Sequence, residues 1–181
     1  MPDIIVPEWF LRRLQAVCNQ DPHDKELYHA MNTLLTAYFP AVNQFIVDPR
    51  ARLPSKPWIP TSYGQTESTH GDDLNPDYLV SLGSAQLDQD VPILICDVKW
   101  EGKAAEDSTV QLERYIAWGR QYQAQLSQPQ AWRLSILLVR GATTELYTLD
   151  PDGSAIRSLH ETTVTELLGI LQSLHDQHAA L

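Results

Sequence analysis

The stretch 91-VPILICDVKWEG-102 decides the fold: an apolar run with hardly a polar group leads into Asp97, Val98 and Lys99, where a buried strand would simply end. Side chains on a strand alternate between faces, so Ile93, Ile95, Asp97 and Lys99 share one side and Leu94, Cys96, Val98 and Trp100 the other. An acid and a lysine therefore stand together on one face at the tip of the most hydrophobic segment of the chain. Upstream, 77-DYLVSL-82 reads as a second strand that begins on an acid, and 83-GSAQLDQD-90 as the turn between the two. An antiparallel hairpin centred near Leu87 opposes Asp77 to Asp97, Leu79 to Ile95 and Ser81 to Ile93. Two carboxylates facing each other at the edge of an apolar face cost free energy unless a cation compensates them, and hard oxygen ligands suit Mg2+ or Mn2+. On the same reasoning, Asp97→Asn is expected to raise the metal-free melting temperature.

Outward from this hairpin the chain reads as one series of elements. Residues 7–17 form a short helix with Pro7 in its first turn, and 21–39 a longer one with Asp21 as N-cap and Pro22 at the first helical position. A strand is expected over 42–47. From Asp48 to Asn75 the chain is rich in Pro, Ser, Thr and Gly and reads as a long loop, a length that is often functional. After the hairpin come a helix over 104–126, strands over 132–139 and 144–149, and a final helix over 161–178. The expected order is two helices, three strands, a helix, two strands and a helix. That order predicts an α/β fold with a mixed sheet flanked by helices, in one domain with its core over 22–149.

Two further groups of residues join the hairpin. On the second helix Leu27, Met31, Leu34, Leu35 and Tyr38 make the apolar stripe, and Glu26 borders it, able to reach toward the sheet. Downstream, Gln111 and Tyr115 lie four residues apart, in one stripe with Trp118 and Tyr122, so their polar tips can sit beside a metal.

Composition limits the alternatives. With 181 residues, 43% of them hydrophobic, the chain is long enough for one sizeable core. Cys18 and Cys96 are far apart and have no zinc-ligand spacing, which fits a reducing compartment. No basic leader and no run of membrane-spanning length is present, so a cytoplasmic protein without a membrane partner is expected. A formal net charge of -10 argues against a surface that generally attracts polyanions. The exception is 50-RARLPSKPW-58, where Arg50, Arg52 and Lys56 gather beside Trp58 between two prolines. Such a loop can clamp phosphates while Trp58 stacks on a base, or it can be a solvated surface loop whose tryptophan covers the core. The six histidines are scattered and read mostly as surface residues, with His29, one turn after Glu26, as an additional candidate ligand.

Glu26 on an early helix, Pro76-Asp77 opening one strand, Asp97-Val98-Lys99 ending the next and Gln111 to Tyr115 on the following helix together resemble the PD-(D/E)XK nuclease superfamily. The segment from Ile95 to Gln123 is most similar to the N-terminal nuclease domain of type I restriction enzymes and, more distantly, to RecB-type nucleases, which share a Q-xxx-Y helix. The resemblance spans roughly residues 22–140. It implies a restriction-endonuclease-like sheet and hydrolysis of phosphodiesters, in DNA rather than RNA, by an Mg2+- or Mn2+-dependent enzyme. It further implies that Asp77, Asp97 and the main-chain carbonyl of Val98 bind the metal, with Glu26 as a direct or water-mediated ligand. Lys99 would orient or activate the attacking water, and Gln111 and Tyr115 would steady the site or the nucleic-acid end. The rival expectation is a non-catalytic module of the same fold, an accessory subunit or protein-interaction platform, which the negative charge favours. A homodimer or a partner protein is compatible with either.

Overall fold

The computed structural model describes residues 6–19, 24–53, 74–84, 90–99, 105–126, 132–140, 143–150, 152, 154–161 and 163–179. The expected α/β architecture forms. Helices α1 (Glu8–Asn19) and α2 (Asp24–Tyr38) lead into strands β1 (Phe45–Pro49), β2 (Tyr78–Leu82) and β3 (Val91–Lys99). Helix α3 (Ala105–Gln123) then crosses to β4 (Leu134–Arg140), followed by β5 (Thr143–Leu149), β6 (Ala155–Glu161) and helix α4 (Val164–His178). The strands lie in chain order, β1 to β6, in one sheet. Every neighbouring pair is antiparallel except β3 and β4. A parallel pair needs a crossover connection, and α3 supplies it.

The helices divide between the faces of the sheet. Phe10, Leu14 and Val17 of α1, Leu27, Met31, Leu34 and Leu35 of α2, and Leu167, Leu171 and Leu174 of α4 pack with Leu94, Cys96 and Val98 in one apolar cluster. Leu112, Tyr115, Trp118 and Tyr122 of α3 pack with Ile95, Leu134, Ile136 and Leu138 in the other. Central strands β3 and β4, covered on both sides, read as near-continuous apolar runs for this reason. Among the described residues no helix is long and apolar enough to cross a membrane.

Several expected boundaries move. The strand expected over 42–47 begins only at Phe45, because Ala41–Asn43 wind into a 3-10 turn that Gln44 ends in the left-handed region at φ 66°. Val42, 87% exposed, has no core to face. Three strands follow α3 where two are expected: β6, the outer edge strand, exposes Ile156 on one face and Leu159 on the other and so carries no clean alternation. The last helix starts at Val164, not at 161, because Glu161 pairs with Thr143 in the sheet and the Thr163 side chain caps the helix by accepting the Glu166 N–H. The expected cap Asp21 and Pro22 lie outside the described residues.

Candidate functional site

The β2–β3 ladder has the expected register in its inner half, with Tyr78 opposite Cys96, Leu79 opposite Ile95 and Val80 opposite Leu94. It slips between Val80 and Ser81, so Ser81 faces Pro92 and not Ile93. Pro92 has no N–H to give a ladder, which makes it a natural place for the irregularity. The slip lies away from the two acids and leaves their meeting intact.

Asp77, just before β2, and Asp97, near the end of β3, interlock through the backbone. The Asp77 N–H donates to Asp97 Oδ1 at 3.0 Å, and the Val98 N–H donates to Asp77 Oδ2 at 2.8 Å. Each carboxylate thus closes the end of the other's strand. Asp97 is 1% exposed. Its Oδ2 also accepts from the Tyr115 hydroxyl at 3.2 Å and lies 3.5 Å from Lys99 Nζ. Gln111 Nε2 donates in turn to the Tyr115 hydroxyl at 2.6 Å. The i, i+4 spacing of Gln111 and Tyr115 on α3 produces this relay, and the crossover brings it over the β3 tip.

Burial, and after it the charge of Asp97, pushes the Tyr115 hydroxyl well above its ordinary pKa, so it remains a neutral donor. Burial followed by the charges of Asp97 and Asp77 also pushes the Cys96 thiol up, which removes it as a nucleophile.

Asp77 is held from behind by groups that the sequence did not reveal. Its carbonyl accepts the Arg50 N–H at 2.7 Å and the Tyr28 hydroxyl at 3.1 Å, while the Tyr78 hydroxyl donates to the Tyr28 carbonyl. The Tyr28 and Tyr78 rings pack at 4.7 Å between centroids. The only sequence signal for this brace is two tyrosines with polar tips next to apolar stripes, which is too common to single out.

The other expected residues fall into three groups. Glu26 is exposed on α2, and among the described residues no three or more His, Cys, Asp and Glu side chains gather into a group able to hold a metal ion. Arg50 and Arg52 are exposed, Arg50 in the left-handed region at φ 59°, and the Arg50 backbone contact places the start of their loop against Asp77. Leu53 pairs with Leu74, which brings the two ends of that loop together. Lys56 and Trp58 lie outside the described residues.

Trp118 and Tyr122 are buried and stacked at 5.4 Å, a packed helix face. His29 is exposed. His175 and His178 are buried, not at the surface as expected, because the i, i+3 spacing turns both toward the sheet side of α4. Phe39 and Phe45 flank the His175 ring.

Compared with protein-family models, curated proteins and solved structures, the chain matches none.

The donor set fits a hard divalent cation. A carboxylate offers about four acceptor sites, and those of Asp97 meet the Asp77 N–H, the Tyr115 hydroxyl and Lys99. One remains. Within a strand the N–H and C=O of one residue point to the same side, so the Val98 carbonyl is directed, like its N–H, toward Asp77. Two carboxylates and a carbonyl on one side of a strand end are oxygen ligands of the kind Mg2+ and Mn2+ take.

Proposed function

We propose that the protein is a divalent-metal-dependent nuclease of the PD-(D/E)XK type that hydrolyses phosphodiester bonds, in DNA in preference to RNA. One observation carries the reading: Asp77 and Asp97 interlock at the end of neighbouring strands, with Lys99 and the Gln111–Tyr115 pair converging on the same carboxylate. The run of α2, β1, β2, β3, α3 and β4, with a parallel β3–β4 pair, supports it as well.

Asp77, Asp97 and the Val98 carbonyl would hold the metal. Bound there, a divalent cation supplies charge neutralisation on the scissile phosphate and lowers the pKa of attacking water. The chain's own groups do the rest. Lys99, 23% exposed at the rim, presents a positive charge where negative charge develops on the phosphate. Tyr115 fixes the carboxylate plane of Asp97, and Gln111 fixes the hydroxyl of Tyr115, so the acid is oriented before substrate arrives. Arg50 stands at the Asp77 side, with Arg52 two residues further along the same exposed segment, suited to phosphates of the incoming strand.

A second reading, a non-catalytic module in which the same groups brace two strands, is favoured by the burial of Asp97. One experiment separates the two. Purified protein is incubated with Mg2+ or Mn2+ and a panel of single-stranded, duplex and branched DNA and RNA, beside Asp97→Asn and Lys99→Ala. Metal-dependent cleavage by the wild type, lost in both variants, with Mn2+ binding kept in Lys99→Ala, is the expected result. Absence of cleavage and of Mn2+ binding in the wild type leaves the bracing role.

A further inference from the structure

A second charged cluster lies on the same face of the sheet. In the parallel β3–β4 register Lys99 is paired with Arg140 and Asp97 with Leu138, and in the antiparallel β4–β5 register Leu138 is paired with Glu145. Paired residues point to one side, so Arg140 stands one strand spacing, ~4.8 Å, from Lys99, and Glu145 two spacings from Asp97. On the next strands Ile136 is paired with Tyr147 and Tyr147 with Arg157. The row therefore runs from the candidate metal centre across β4 and β5 to the edge strand.

Glu145 organises this row. Its Oε1 lies 3.5 Å from Arg140 Nη1, and its Oε2 lies 3.2 Å from Arg157 Nε and accepts the Tyr147 hydroxyl at 2.6 Å. Arg157 also lies over the Tyr147 ring, 5.9 Å from its centroid. Burial and then the bond to Glu145 push Tyr147 up to about 12, so it stays a donor. Two guanidinium groups, with five N–H donors each, share one carboxylate, which leaves a net positive charge and more donors than the carboxylate has acceptor sites. Arg140 Nε is buried and has no hydrogen-bond partner among the described residues, while the Arg140 side chain as a whole is 20% exposed and Arg157, 55% exposed, opens to solvent.

We infer that Arg140 and Arg157, spaced by Glu145 and Tyr147, form a phosphate-binding subsite that takes a backbone phosphate of a nucleic-acid strand beside the one held at Asp77, Asp97 and Lys99. The subsite rests on the proposed function for its ligand class, a phosphodiester. Its position sets the path of the strand: across the α3 face of the sheet, from the metal centre toward β6. It also gives a chain of net charge -10 a local site for a polyanion, since Lys99, Arg140 and Arg157 stand on one face of the sheet.

The test uses the full chain and a fluorescein-labelled single-stranded DNA oligonucleotide and its RNA counterpart, titrated across a KCl series in Ca2+. Mn2+ binding and Mn2+-dependent cleavage are measured in parallel. Arg157→Gln and Arg140→Gln are each expected to weaken binding about tenfold at low salt and to reduce the slope of log affinity against log salt by about 0.7, the value of one phosphate contact on a single strand. Mn2+ affinity stays at the wild-type value. Glu145→Gln keeps the shape and removes the competing charge, so it is expected to tighten binding several-fold, an effect that a purely structural ion cluster does not produce.

Unchanged affinity and slope in both arginine variants, with Mn2+ binding intact, overturns the subsite and leaves the proposed function standing. The converse pattern, loss of oligonucleotide binding in the variants of a wild type that neither binds Mn2+ nor cleaves, supports the subsite and overturns the nuclease reading. A wild type that binds no oligonucleotide overturns both.

Discussion

Asp97 sits where an apolar strand meets three donors, and its surroundings reverse an expectation drawn from charge alone. Facing acids suggest that neutralising one relieves repulsion and stabilises the metal-free protein. In the structure the carboxylate is compensated by the Asp77 N–H, the Tyr115 hydroxyl and Lys99. An asparagine would turn an NH2 group toward a hydroxyl already fixed by Gln111 and toward an ammonium group, leaving donors without an acceptor in a buried position. Asp97→Asn is therefore expected to lower stability in EDTA by about 2 kcal/mol or more. Urea denaturation of the two proteins in EDTA measures it, and a more stable variant would restore the repulsion account. Tyr115→Phe removes one donor to a charged acceptor and is expected to cost about 1.5–3 kcal/mol. It should also weaken Mn2+ binding, as titration calorimetry would show, because the carboxylate loses the group that fixes its plane.

At the scale of elements, two helix glycines separate packing from propensity. Gly119 faces the sheet from the C-terminal part of α3, and a Cβ there would lie 2.8 Å from Leu134 Cδ2 and 3.0 Å from Leu149 Cδ2. Both leucines are fully buried, so their methyl groups have little room to retreat. Overpacking of this kind costs about 1–3 kcal/mol, against about 1 kcal/mol gained in helix propensity. Gly119→Ala is expected to melt lower than the wild type, and to disturb Tyr115 because the same helix carries it. Gly169 on α4 is exposed, with nothing within 4 Å of an added Cβ, so Gly169→Ala is expected to gain about 0.5–1 kcal/mol. Thermal melts of the two variants should move in opposite directions.

The elements legible in the sequence were those with strong one-sided or two-sided burial. Strands β2 to β5 and helices α2 and α3 follow apolar patterns that the core enforces. What escaped was set by local geometry or by weak burial: the left-handed Gln44 that delays β1, the slip at Pro92, and the edge strand β6.

At the scale of the whole molecule, the site was legible where sequence neighbours share one element and illegible where distant elements converge. Asp77, Asp97 and Lys99 follow from strand alternation across one hairpin, and Gln111 with Tyr115 from helix spacing. Tyr28 on α2, and Arg140, Glu145 and Arg157 on β4, β5 and β6, needed the sheet order, which the sequence supplies only in part. The buried histidines of α4 were hidden for the same reason, and one of them makes global stability depend on pH. His178 is 3% exposed, and burial, with a smaller contribution from Arg133, lowers its pKa from the ordinary 6.5 to about 4. The native state therefore keeps His178 neutral while the unfolded chain takes up a proton once the pH falls below 6.5. Above that value neither state binds the proton and the residue has no pH-dependent effect. Between 6.5 and about 4 the unfolded state binds more, so stability falls with pH, by up to about 1.4 kcal/mol per pH unit from this group. Below about 4 both states are protonated and the effect levels off. Replacing His178 by Gln removes the titration while keeping a polar side chain of similar size. Urea denaturation of wild type and His178→Gln at a series of pH values across this window should therefore give a difference in stability that shifts steadily in favour of the variant as the pH falls; a difference that stays constant would mean that the protonated imidazole is accommodated in the fold.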